Sequence, residues 1–168
     1  MTDPTVVSTS DETFLRRAID VAARSRAAGN HPFGALLVTP GGRVIEAMNS
    51  VVTESDPTGH AETNLVRLCA AELSPEDLRA STLYTSTEPC AMCSGAIYWA
   101  GIPRVVYALP EQSLAALVPA QDGEPTMDLP CRDVFAAGGR TVHVAGPALE
   151  PEAALVHDGF WARPLSDS

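Results

Sequence analysis

Two short clusters, His60-Ala61-Glu62 and Pro89-Cys90-Ala91-Met92-Cys93, constrain this chain more than anything else in it. They stand 26 residues apart. Cysteines three positions apart in the first turn of a helix project from one face and can share a metal ion. The partial positive charge at a helix N-terminus favours their thiolate forms. A histidine opening a second helix can reach the same ion from across the site. The fold must therefore bring two helix N-termini together.

The number of ligands then points to chemistry. Structural zinc sites close with four protein ligands, whereas catalytic sites keep three and leave a position open for water. The sequence offers one CxxC pair and neither a second pair nor an HxxxH to complete a cage. A lone CxxC would equally suit a redox pair, but its company with HxE tells against that. His60, Cys90 and Cys93 thus form a three-ligand set, and mixed sulfur and nitrogen ligation suits zinc, one ion per chain. Glu62 lies two residues from a ligand, close enough to hydrogen-bond the water without binding the metal. It can carry a proton to a substrate's ring nitrogen and leaving amine. HxE followed by PCxxC is the signature of zinc nucleobase deaminases.

Charge narrows the partners. The chain carries 21 acidic residues against 11 arginines, has no lysine, and has a net charge of −10. A protein that grips a phosphate backbone needs a basic field, and this one lacks it. Arg16, Arg17, Arg24 and Arg26 cluster in the first predicted helix, with acids beside them, as a solvated face. The expected partners are a small-molecule substrate and a second copy of the chain, with neither nucleic acid nor membrane. No run of 18 apolar residues occurs, and the polar stretch Met1–Asp11 has no secretory pattern, so a cytoplasmic location is expected. Cys69 and Cys131 read as buried thiols.

The pattern of elements suggests one domain, residues 1–168 with a core over about 11–160. Thr9 with Glu12 gives a capping-box signature, and Phe14, Leu15, Ala18, Ile19 and Ala22 then recur at helical spacing until Gly29. Residues 35–39 and 44–48 around Pro40-Gly41-Gly42 predict a hairpin. A second helix is expected from His60 to about Glu72, with Leu65, Leu68 and Cys69 inward. A third is expected to open at Pro89 and stop at Gly101. Strands are expected at 81–85, 104–107 and 141–144, with a long loop over 119–130. Strands alternating with helices after a hairpin give an α/β layer fold with a mixed sheet.

From about Asp11 to Tyr107 the sequence resembles the cytidine-deaminase-like superfamily. Within it, the similarity is to the nucleobase and nucleoside deaminase branch of bacterial guanine deaminases, fungal-type cytosine deaminases and tRNA adenosine deaminases. Beyond the metal motifs the resemblance rests on Pro32-Phe33-Gly34-Ala35, Asn49, Leu83-Tyr84-Thr85 before Glu88-Pro89-Cys90, and Gly95 to Ala100, the last most like bacterial guanine deaminases. It implies a three-layer α/β/α sandwich around a central mixed five-stranded sheet, and a homodimer to which Tyr98 and Trp99 contribute. It also implies that Asn49 hydrogen-bonds the base, that the Ala61 N–H holds a ring carbonyl, that the Glu88 carbonyl faces the departing ammonia, and that Phe33 lines the pocket. Ala91 departs from the second proline that many guanine deaminases carry. An acidic group recognising a substrate amino group is expected from Asp128, Asp122 or Glu111, and Phe160 and Trp161 are candidates to cap the pocket or to pack at the C-terminus. The implied activity is hydrolysis of a C–N bond in a cyclic amidine. The expected substrate is a free base, guanine or a similar purine first and cytosine or an s-triazine next, with a role in purine or pyrimidine salvage. A tRNA adenosine deaminase or nucleoside deaminase is the alternative, and a zinc-stabilised scaffold the non-enzymatic one.

Overall fold

The computed structural model describes residues 3–118 and 127–161. Its sheet has five strands in the order β2-β1-β3-β4-β5: β1 (Gly34–Val38), β2 (Val44–Met48), β3 (Thr82–Thr87), β4 (Arg104–Leu109) and β5 (His143–Ala145). β1 is antiparallel to both neighbours, while β3, β4 and β5 run parallel. This is the expected mixed sheet.

The chain alternates apolar faces along the strands, so both sides of the sheet must be covered. Leu37, Leu83, Val105 and Val144 pack against α2 (Ala61–Glu72), α3 (Pro75–Arg79), α4 (Ala91–Ala100) and α6 (Cys131–Ala136). Leu36, Tyr84, Val106 and Ala145 pack against α1 (Thr9–Ala27), α5 (Glu111–Leu117) and α7 (Glu150–Leu155). Three layers result. Fully buried leucines such as Leu15, Leu36, Leu37 and Leu65 each contribute about 2 kcal/mol.

Several boundaries move by a residue or two. The cap of α1 is Ser8, not Thr9: the Ser8 hydroxyl accepts the Asp11 N–H while the Asp11 carboxylate accepts the Ser8 N–H, so Asp11 serves in place of Glu12. α4 begins at Ala91 with Cys90 as its cap, and Pro89 stands outside the helix. α2 likewise begins after His60. Leu68 is 39% exposed and does not face the core, which Ala61, Leu65 and Cys69 fill. Most of the loop expected over 119–130 lies outside the described residues; 127–130 carry no helix or strand, α6 begins at Cys131, and His157 follows α7 rather than lying within it. Three of the four α1 arginines pair with acids as expected, Arg16 with Glu152 and Arg17 and Arg24 with Glu46, while Arg26 donates to the Val156 carbonyl at 2.8 Å. No described helix is long and apolar enough to cross a membrane.

Strand β5 lies at the sheet edge, where free backbone groups invite another strand. Arg132 covers that edge by donating to the carbonyls of Val144 and Gly146, at 3.3 and 2.9 Å. Its other nitrogen donates to the Tyr107 hydroxyl at 2.7 Å.

Candidate metal centre and active site

Parallel strands point their carboxyl ends at one rim, where side chains from successive loops converge. β3 ends at Thr87 and runs directly into Glu88-Pro89-Cys90, while β4 ends at Leu109 and runs into Glu111. The long connection after β2 brings the N-terminus of α2 to the same rim. His60 is the cap of α2, Cys90 the cap of α4 and Cys93 its third residue. The two helix N-termini meet, as the motif requires.

His60 Nδ1 lies 3.6 Å from Cys90 Sγ and 3.6 Å from Cys93 Sγ. Two ligands about 2.3 and 2.05 Å from a tetrahedral zinc stand about 3.6 Å apart. The spacing is therefore that of a coordination polyhedron. These three atoms lie within 4.8 Å of one another, and they are the group of metal-binding donors found among the described residues. The electrostatics agree. The Cys90 thiol is pulled down to about 4 by the Cys93 thiol beside it and by His60, although burial opposes this. Cys93 moves up, through its hydrogen bond to Cys90, its burial and the nearby Glu62. A divalent cation between them stabilises both thiolates at once.

Glu62 is buried beside this group, outside the ligand set. Its Oε1 accepts from the Thr85 hydroxyl at 2.9 Å, and Oε2 stands 3.6 Å from Cys93 Sγ. Burial, then the Cys90 charge, raise its pKa, while the Thr85 hydrogen bond opposes them.

A cavity of about 110 Å³ opens against the metal ligands. Phe33, His60, Glu62 and Cys90 line one part of it, and Thr87, Glu88, Glu111 and Leu114 the rest. Glu111, one of the three candidate acids, lines this cavity, and burial together with the charges of Cys90, Glu88 and Glu62 pushes it up to about 7. Asp128 lines an adjoining cavity with Tyr107 and Arg132, and Asp122 lies outside the described residues. Asn49 is buried; its Oδ1 accepts the Val51 N–H at 3.0 Å, while its Nδ2 has no partner among the described residues. Ala61, first in α2, has an N–H with no acceptor within the helix.

The Glu88 side chain plays a part that sequence reasoning missed. Its two oxygens accept the N–H groups of Glu111 and Cys131, both at 3.1 Å, and so tie the starts of α5 and α6 to the cavity wall. A carboxylate at a helix start is a legible signal only once the neighbouring helices are known. Trp161 packs on Phe33 with ring centres 6.2 Å apart, and its indole N–H donates to His157 Nδ1 at 3.1 Å. Phe160 packs against Trp161 and His31. A larger cleft, about 470 Å³ at the β5 edge, is lined by Arg132, Arg140 and His143 and is separate from the metal donors.

This fold and donor set define a zinc hydrolase, and residues 8–109 match the model of the cytidine and deoxycytidylate deaminase zinc-binding region. The chain belongs to that family and is a deaminase acting on C–N bonds of cyclic amidines. It is 41% identical to a probable cytosine deaminase of Schizosaccharomyces pombe over 157 residues, 94% of this chain and 96% of that one. With a guanine deaminase of Bacillus subtilis it shares 47% over 98 residues, 58% of this chain and 63% of the relative. The structure of a guanine deaminase from Nitrosomonas europaea, 24% identical, superposes with a TM-score of 0.72 over 90% of this chain and 84% of that one, which shows the shared fold.

Proposed function

We propose that the chain, as a single deaminase domain, removes the exocyclic amino group of a free nucleobase and releases ammonia. Guanine or a similar purine is the first choice of substrate; cytosine and s-triazines follow. The observation that carries this reading is the cavity of about 110 Å³ at the metal donors, with Phe33 and Leu114 among its walls. It suits one planar ring system, and relatives that act on cytosine and guanine agree with it. Net charge −10 disfavours tRNA.

Zinc held by His60, Cys90 and Cys93 supplies Lewis-acid activation of water. The residues of the chain do the rest. Glu62, held by Thr85, takes one proton from the attacking water and gives it to the ring nitrogen, then takes the second proton from the same oxygen and gives it to the leaving amine. Asn49 Nδ2 donates to the base, the Ala61 N–H holds a ring carbonyl, the Glu88 carbonyl faces the ammonia, and Phe33 packs on the ring. Glu111 supports recognition of an amino group at the cavity's far side. Trp161 steadies Phe33, and Asp128 lines the adjoining cavity, which shares Glu88 and Glu111 with this one. The protein acts in the cytoplasm as a homodimer in this reading; Trp99, 83% exposed on α4, supports the dimer with that helix in its interface.

Ammonia release from guanine, cytosine, adenine, their nucleosides and a tRNA anticodon stem tests the reading. Turnover of at least one free base is expected; turnover of the stem alone would overturn it.

A further inference from the structure

Strand alternation sends Leu83, Thr85 and Thr87 to one face of β3 and Tyr84 and Ser86 to the other. Leu83 packs with the α2 and α4 side, and Tyr84 with the α1 side. The Thr85 hydroxyl lies 2.9 Å from both Glu62 Oε1 and the Thr87 carbonyl. Thr87 therefore leaves the strand on the Glu62 side, where it lines the cavity at the metal donors. It is 2% exposed, and its Oγ1 has no hydrogen-bond partner among the described residues.

A hydroxyl taken out of water without a partner destabilises a fold, and valine would fill the same space without that cost. The hydroxyl adds one thing here, a donor and acceptor for whatever enters the cavity. Among the described residues, two other buried side-chain polar atoms are also unpartnered. Neither lines the cavity: Asn49 Nδ2 is assigned to the base above on the resemblance, and His157 Nε2 belongs to the aromatic group around Trp161. Glu111 brings an acceptor to the same cavity.

We infer that Thr87 is a substrate-binding residue whose Oγ1 hydrogen-bonds a polar ring or exocyclic atom of the base and contributes to selectivity among bases. This rests on the free-base reading above. The contact holds the ring and leaves the reacting carbon alone, so it acts on binding more than on turnover. It also implies that the occupant carries a hydrogen-bonding atom on the edge that meets β3.

The test uses the zinc-loaded full chain with Thr87→Val and Thr87→Ser, assayed on the base that the wild type deaminates best, with zinc content and thermal melting measured beside activity. Thr87→Val is expected to lower kcat/KM by about tenfold, mostly through KM, as for one lost hydrogen bond. It should keep one zinc and melt no lower than the wild type, because it removes an unpartnered hydroxyl. Thr87→Ser should restore kcat/KM to within about twofold. Parity of Thr87→Val with an active wild type overturns the proposal. So does a loss accompanied by a lower melting temperature or by missing zinc, which would make the hydroxyl structural, and so does a Thr87→Ser variant as impaired as Thr87→Val. A wild type that releases ammonia from no base overturns the free-base reading itself, a different failure from parity between variant and wild type.

Discussion

A carboxylate buried next to two thiols and an imidazole is a costly arrangement unless each group has work to do. Glu62 has one strong partner, Thr85, and one oxygen left toward Cys93 and the cavity. Glu62→Gln keeps the shape and removes the proton carrier. We expect kcat to fall by about 10³-fold, with zinc content unchanged and the melting temperature no lower, measured by ammonia release and metal analysis. Loss of zinc with the substitution would make Glu62 a ligand. The His60, Cys90, Cys93 and Glu62 set was legible because helix-start spacing is local. The Glu88 side chain was not, because its partners Glu111 and Cys131 lie 23 and 43 residues further along.

Elements meet through contacts that no local pattern reveals. Asp11, in the first turn of α1, faces the Arg104 guanidinium of β4 at 2.8 and 3.0 Å and accepts from the Tyr84 hydroxyl of β3 at 2.8 Å. Burial pushes its pKa up, but Arg104, Ser8 and Tyr84 outweigh this and hold the carboxyl well below the usual carboxylate range. Asp11→Asn leaves Arg104 half-partnered and is expected to cost about 3 kcal/mol, read by chemical denaturation. Gly34, where β1 crosses α1, has even less freedom. A Cβ there would stand 2.4 Å from Ala22 N and 2.6 Å from Ala18 O, backbone atoms that cannot swing aside. Gly34→Ala is expected to destabilise by at least about 3 kcal/mol, or to prevent folding, by the same measurement.

For the whole molecule, acid and metal act in opposite directions. Asp11 binds its proton less readily folded than unfolded, so its contribution is present above the ordinary aspartate value and is lost as pH falls through and below it. His157, pushed down to about 4 mainly by burial, is neutral in the fold. The unfolded chain protonates this histidine first, so stability falls between about pH 6.5 and 4 and the His157 part levels off below that. The melting temperature should therefore decline in two stages on acidification, and Asp11→Asn should remove much of the lower one. Removing zinc with a chelator should abolish ammonia release and lower the melting temperature, with both restored by added Zn²⁺; an unchanged melting temperature would mean the three ligands are held by packing alone.

Sequence alone determined what depends on short spacing: three ligands at two helix starts, an acid two residues from one of them, a hairpin turned at Gly42, a helix stopped at Gly101. Each is set within a turn or two of backbone. Tertiary structure decided what depends on distant segments sharing a low-dielectric interior. It placed Glu111 in the cavity and Asp128 beside it, turned Leu68 outward, spent both oxygens of Glu88 on two helices, and left the Thr87 hydroxyl buried without a partner. The metal chemistry is local and could be read from the chain; the cavity wall is assembled from the segment leading into β1, the end of β3 and the first turns of α2 and α5, and only the fold brings these together.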